Sequence, residues 1–311
     1  MEIYVPDYYE DFSCIAEKCK NSCCVGWEID IDDKTLKMYK GIHNDFGKRL
    51  IGNIEENDGS YHFILTDDGR CPFLNNDNLC DIILNLGEDH LCRICSDHPR
   101  FRNFFDSRTE IGLGLCCEEV ARIILTKKEK AALIKIASDD ENIFSNDEEI
   151  FFHFRSSVIE MLQNRDIPIK ERIFDVVSKY KIEFPYNTPK EWGKIFLSLE
   201  HLNSSWSEML SRLDMSEGVL ISNPVFETEA EQLLVYFIFR HLADGLYDGN
   251  LRERIAFSIL SVMMIDFLLS SHLKKQGIIN IEDIIEISRL YSLEIEYSED
   301  NIKTLLSVFI K

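Results

Sequence analysis

All ten cysteines of this 311-residue chain lie between Cys14 and Cys117. That asymmetry constrains the fold more than any other feature. Thiols close in sequence converge on one centre with little loop-closure cost. Four thiolates complete either a tetrahedral zinc site or a four-iron cluster. The cysteines form three groups: Cys14, Cys19, Cys23 and Cys24, spaced C-x4-C-x3-C-C; Cys71, Cys80, Cys92 and Cys95, spaced C-x8-C-x11-C-x2-C; and the pair Cys116-Cys117. Neighbouring side chains point apart in extended chain, so one member of each adjacent pair is expected to ligate. Buried unliganded cysteines are common in cores, but random burial does not collect every cysteine of a chain into its first part. Soft thiolates suit zinc and iron–sulfur centres alike. Only Cys92-x2-Cys95 and Cys19-x3-Cys23 have the form of zinc knuckles, so spacing leaves the metal open.

The compartment follows from what surrounds the thiols. The opening Met1-Glu2-Ile3-Tyr4-Val5-Pro6 has neither a basic n-region nor an apolar h-region, so no secretory signal is expected. The longest apolar stretch, Ile255 to Leu269, is shorter than the roughly 20 residues of a membrane span. Asp266 interrupts it, with Arg240 or Arg254 as the expected partner. The expectation is a cytoplasmic protein without a membrane segment. In a reducing compartment, clustered cysteines indicate metal binding or catalysis rather than disulfides. The formal charge of −21, from 34 basic and 55 acidic residues, excludes duplex nucleic acid as a partner. The same surface suits a basic substrate group such as a lysine side chain. Composition sets no oligomeric state.

The end of the cysteines predicts a domain boundary near residue 126. The fold class expected is α+β, mainly α: a small cysteine-rich metal-binding domain at 1–126, then an all-helical domain at 127–311. In the first, Glu28 to Ile31 alternates like a short strand, and Asp32 or Asp33 caps a helix carrying Leu36 and Tyr39. Tyr61 to Thr66 reads as a strand closed by Asp67-Asp68-Gly69, and Ile111 to Leu115 as a third. In the second, Ser145 with Glu148, and Thr188-Pro189 with Glu191, are capping-box signatures. Asn223-Pro224 opens a helix in which Ala230, Leu233, Leu234, Phe237 and Ile238 recur at helical spacing. Further helices are expected over 255–269, near 281–291 and near 299–310.

The cysteine motifs, taken in order, resemble a known family. Phe12-Ser13-Cys14, Cys19, Cys23-Cys24, Gly26-Trp27, Ile29 and Asp32 are similar to the opening of the flagellin lysine-N-methylases. Cys71-Pro72-Phe73-Leu74, Leu79-Cys80-Asp81-Ile82, Leu86-Gly87-Glu88, Leu91-Cys92 with Cys95, Pro99-Arg100, and Cys117 with Glu119, Ala121 and Arg122 follow in the same order, so the resemblance covers about residues 4–125. Related cysteine-rich modules are described as zinc- or iron-chelating. His98 stands where the family has an aromatic residue, Glu118 where it has proline, and Cys116 is extra. His98 is expected to be exposed.

The resemblance implies methyl transfer from S-adenosylmethionine to lysine ε-nitrogens of flagellin, with an iron–sulfur centre, 4Fe-4S in type, and zinc as the alternative. Its metal ligands would be Cys14, Cys19, Cys23, Cys24, Cys71, Cys80, Cys92, Cys95 and Cys117. Trp27, with Tyr4, Tyr8 and Tyr9, offers an aromatic face for the sulfonium cation. Glu88, Arg100, Glu119 and Arg122 match family motifs beside the cysteines and are expected to orient ligands or cofactor. No catalytic residue is singled out. No strand leads into a G-x-G-x-x-G turn, which argues against the common nucleotide-binding methyltransferase fold. The radical S-adenosylmethionine pattern C-x3-C-x2-C is broken by Cys24 directly after Cys23. The competing class is a non-catalytic zinc- or iron–sulfur-binding module with a helical partner-binding domain.

Overall fold

The computed structural model describes residues 2–138, 145–186, 188–213 and 226–310. The chain runs β1 (Glu2–Pro6), α1 (Asp33–Lys40), α2 (Asp45–Gly52), β2 (Ile54–Asn57), β3 (Ser60–Phe63), α3 (Asp81–Leu86), α4 (Arg93–Asp97), β4 (Arg100–Phe104), β5 (Arg108–Leu113), α5 (Glu118–Thr126) and β6 (Leu133–Ala137). Helices then follow: α6 (Asn146–Leu162), α7 (Ile169–Lys179), α8 (Pro189–Leu197), α9 (Ser204–Ser211), α10 (Glu227–His241), α11 (Gly245–Asp248), α12 (Leu251–Gln276), α13 (Ile281–Ile295) and α14 (Glu299–Ser307). Helix dominates and the sheets are small, as expected for a mainly α chain.

Two compact units form. One is Ser13–Arg100; the other joins Met1–Phe12 to Phe101–Lys311. The units therefore part elsewhere than residue 126, and the larger is not all-helical. Its sheet has the order β4-β5-β1-β6. β1 runs parallel to β5, with Glu2 opposite Arg108 and Tyr4 opposite Glu110, and antiparallel to β6. A strand from the first residues must lie in whichever unit holds its ladder partners, because unpaired backbone groups are costly to bury. The loss of cysteines after Cys117 marks where thiols end, not where packing changes. Val120, Ala121, Ile124 and Leu125 of α5 join the core of the larger unit with α10 and α12.

In the smaller unit, Ile29, Ile31, Leu36, Tyr39, Leu50, Phe63, Phe73 and Ile82 make a separate core. Glu28 to Ile31 makes only one bridge, Asp30 to His62. Ser60–Phe63, the strand that carries His62, also pairs with β2 as a hairpin. Asp32 caps α1 by accepting the Thr35 N–H at 3.1 Å. Its other oxygen accepts the Arg93 N–H at 2.9 Å, joining α1 to the start of α4.

Helix α12 is 26 residues long, well beyond the apolar run that first marks it. By length and composition it passes for a membrane span, yet 78% of its apolar window is buried inside the protein, as in a core helix. Asp266 is buried on it. The ion pairs of the two arginines expected beside it go to Glu296 for Arg240, and to Asp244 and Asp248 for Arg254. Asn223-Pro224 lies outside the described residues, and α10 begins at Glu227.

The two capping signatures part company. At α8, Thr188 and Glu191 form the reciprocal box. At α6, Ser145 is the N-cap but its side chain makes no cap bond. Glu148 turns away and accepts the Asp106 N–H at 2.6 Å and the Ser107 N–H at 3.0 Å. Thr188→Ala is therefore expected to cost about 1 kcal/mol, and Ser145→Ala only a few tenths. The midpoint of urea unfolding for each variant checks this. Equal losses at the two positions would contradict the assignment.

Candidate functional site

Five of the ten thiols gather in the smaller unit. Cys71 and Cys92 are part of its buried core, with Cys24, Cys80 and Cys95 packed against it. The backbone places four of them in two pairs, with Cys80 apart. The segment at Cys24 lies antiparallel to that at Cys71: the Cys71 N–H donates to the Cys24 carbonyl at 2.8 Å, and the Gly26 N–H to the Gly69 carbonyl at 2.9 Å. Gly26 and Gly69 both take positive φ, which lets the two segments turn there. Cys80 bridges to Leu74 and then serves as N-cap of α3. Cys92 is the N-cap of α4, and Cys95 follows one turn later with the two sulfurs 3.2 Å apart.

The electrostatics are those of sulfurs sharing one place. Burial pushes the Cys71 thiol up to about 12, with Cys24, Cys80 and Cys92 adding to the rise. Burial also raises Cys80. The Cys23 thiol beside Cys24, with Ser22 and the Arg70 guanidinium, outweighs burial and brings Cys24 down to about 7. In the Cys92–Cys95 pair the contact between the two sulfurs lowers Cys92 and raises Cys95, burial adding to the rise of Cys95. Thiolate is the metal-binding form, and Cys24 and Cys92 are the two thiols of this group whose surroundings favour it.

The five thiols of this core are soft donors of the kind a thiolate-bound metal centre uses, one more than a four-ligand centre takes. Among the described residues, no group of three or more His, Cys, Asp or Glu side chains stands close enough to hold an ion. Coordination would thus require the sulfurs to close in from these positions.

The other expected ligands are placed differently. Cys14 is exposed, its sulfur accepting the Ala16 N–H at 3.4 Å. Cys23 is exposed and Cys19 half-buried. Cys117 is the N-cap of α5 and belongs to the larger unit. Its neighbour Cys116 is buried there, pushed up to about 12 by burial, with a hydrogen bond to Tyr297.

Of the residues expected to hold cofactor, Trp27 lies in the cysteine unit, its ring 6.0 Å from that of His98 and its indole N–H bonded to the Cys23 carbonyl. His98 is half-buried rather than exposed, and burial pulls it down to about 4. Glu88 is exposed and Arg100 half-buried. Glu119 and Arg122 engage each other through two hydrogen bonds of 2.8 and 2.5 Å on α5. Tyr8 is buried in the core of the larger unit, and Tyr4 lies under the Arg108 guanidinium at 4.4 Å. Two neighbours of the thiols escaped the sequence reading. Arg70, directly before Cys71, faces Cys24. Tyr39 is buried beside Cys92, Cys95 and Cys80 and donates to the His90 carbonyl at 2.8 Å. A cation adjoining a clustered cysteine was the available signal for the first.

A thiol-lined core in a small unit, with a larger helical unit, defines a cysteine-rich protein of mainly α class. Residues 193–311 match the family model of the FliB lysine N-methylase C-terminal domain. A lysine-N-methylase of Salmonella choleraesuis (strain SC-B67) is 31% identical over 135 residues, covering 41% of this chain and 33% of that protein. The flagellar biosynthetic protein FliU of Salmonella muenchen is 31% identical over 135 residues, covering 41% of this chain and 79% of that protein. The chain belongs to the FliB lysine N-methylase family. It spans about a third of the length of the lysine-N-methylases it matches. The family-model match lies wholly in the larger unit, after the last cysteine motif. No solved structure matches the chain.

Proposed function

We propose that this chain is a protein-lysine N-methylase acting on flagellin, with S-adenosylmethionine as methyl donor and an iron–sulfur centre of 4Fe-4S type. The family membership carries this reading, and the gathered thiols support its metal dependence. The ligands would be drawn from Cys24, Cys71, Cys80, Cys92 and Cys95, at most four of which a 4Fe-4S centre takes. Held by three of these thiols, such a centre would offer one iron to the amino and carboxylate groups of the methyl donor. The remaining chemistry is simple to balance. The neutral lysine nitrogen attacks the methyl carbon, the carbon–sulfur bond breaks onto sulfur, and the amine then gives up a proton to solvent. The amine must be deprotonated and aligned, and desolvation and positioning favour both. The acidic surface favours approach of lysine-bearing protein. Within the cysteine unit, Arg70 offsets thiolate charge at Cys24, and Asp32 fixes the start of the α4 turn that carries Cys92 and Cys95.

The test is purification without oxygen, analysis of iron, sulfide and zinc, and incubation with flagellin and isotope-labelled methyl donor, read by mass spectrometry of flagellin lysines. Iron with sulfide, a visible chromophore and labelled methyl-lysine are expected. Zinc alone with unlabelled flagellin would overturn the methylase reading and leave a zinc-binding module.

A further inference from the structure

Strand β4 ends in a side chain that packing has not covered. Phe104 is 67% exposed, while Phe105 beside it is buried against the rings of Phe151 and Phe152 at 5.6 and 4.9 Å. β4 ends at Phe104, and with Phe105 next to it anchored inward the Phe104 ring is left facing solvent. Tyr247 on α11 is 66% exposed, and its hydroxyl donates to the Phe104 carbonyl at 2.9 Å. Two large exposed aromatic side chains are thereby tied to one place on the larger unit. That place is acidic. Partial burial, then Glu148, Asp106 and Asp244, oppose ionisation of the Tyr247 hydroxyl; in the chain Asp106 lies two residues past Phe104 and Asp244 three before Tyr247. Asp248 is next to it in sequence. Arg254 is the facing cation; it pairs with Asp244 at 3.1 Å and Asp248 at 2.6 Å and is only 9% exposed. Asp244 stays 68% exposed.

Exposed aromatic rings rimmed by carboxylates match one partner chemistry better than others. A nucleic acid or an anionic lipid surface would be repelled. An ammonium on an aliphatic stem gains on both counts, from the ring face and from the carboxylates. We propose that Phe104 and Tyr247, with Asp106 and Asp244, form a docking surface for a lysine-bearing segment of a protein partner. That the basic groups are lysines rests on the methylase reading above; the surface itself does not.

The test uses the full chain and a dye-labelled peptide of alternating lysine and serine, with binding read by fluorescence anisotropy. Phe104→Ala combined with Asp106→Asn should weaken binding about tenfold, and binding should fall steeply with salt. Asp106→Lys, an exposed charge reversal, should weaken it without touching the aromatic pair. Circular dichroism matching the parent chain confirms that the fold is kept. Parent-like affinity in both variants, or equal binding of a peptide with glutamine for lysine, would overturn the proposal. Methylated flagellin together with variant-insensitive peptide binding sinks the docking surface and keeps the methylase reading. Unmethylated flagellin with variant-sensitive binding does the reverse.

Discussion

Glu296→Ala is expected to cost the larger unit about 3–5 kcal/mol, because it strands a charge that burial has already removed from water. Glu296 follows α13 and is fully buried in its side chain. Arg240 approaches it at 3.1 Å and His241 at 2.6 Å, both from α10. The Tyr236 hydroxyl lies 3.1 Å from the same carboxylate and accepts the Leu115 N–H at 3.0 Å, so the network also holds the segment leading to Cys116. The Arg240 guanidinium is further enclosed by the Phe101 and Tyr297 rings at 4.8 and 5.0 Å. Without the carboxylate, a buried guanidinium and a buried imidazole face each other. Urea unfolding should show a lower midpoint with an unchanged slope.

The same network predicts an acid limit. Burial pushes Glu296 up, but Arg240 and then His241 outweigh it and hold the carboxyl below 4.5. Burial pulls His241 below 6.5 despite its bond to Glu296. Both folded-state values are depressed. Each group therefore contributes stability above its unfolded value, and loses it as pH falls through the folded one. Stability should begin to decline below about pH 6.5, as His241 is forced to charge, and decline further below about 4.5 with Glu296. His241→Asn should reduce the upper part of that decline and leave the part due to His98, which burial also holds below 6.5. A chain equally stable at pH 7 and pH 5 would contradict this ordering.

Much of the helical architecture was legible because its signals are local. The reciprocal cap at Thr188 and the apolar spacing of α10 each specify an element without reference to anything distant. What escaped the sequence depends on partners far along the chain. Glu148 has the spacing of a capping box with Ser145, yet two backbone N–H groups and a hydroxyl at Asp106 and Ser107 outbid one N–H at the cap. The sheet of the larger unit joins β1 to β5 across more than a hundred residues, and no periodicity announces such pairing. The thiol core shows the same division. The motifs name the cysteines, but the crossed segments at Cys24 and Cys71, and the helix starts at Cys80 and Cys92, decide which of them meet.

Cys71→Ser and Cys92→Ser are each expected to empty the proposed metal centre, whereas Cys14→Ser and Cys116→Ser should leave its metal content unchanged. Cys71 is 6% exposed and Cys92 fully buried in the thiol core, so a lost sulfur there has no solvent-borne replacement. Cys92 is also one of the two thiols whose surroundings favour thiolate, and its helix start is fixed by Asp32. Cys14 is exposed, and its sulfur is occupied with a local backbone N–H. Cys116 is held by packing and by Tyr297 in the other unit, where burial favours the neutral thiol. Metal-to-protein ratios by elemental analysis read the partition directly. Chelation should act on the same unit: structural metal in small domains is worth roughly 10 kcal/mol of folding free energy, and the apolar core of Ser13–Arg100 is small. Amide exchange should therefore rise across Ser13–Arg100 on metal removal and stay low along α10 and α12. Loss of metal from the Cys14 or Cys116 variant to the same degree would mean that the five gathered sulfurs are not the site.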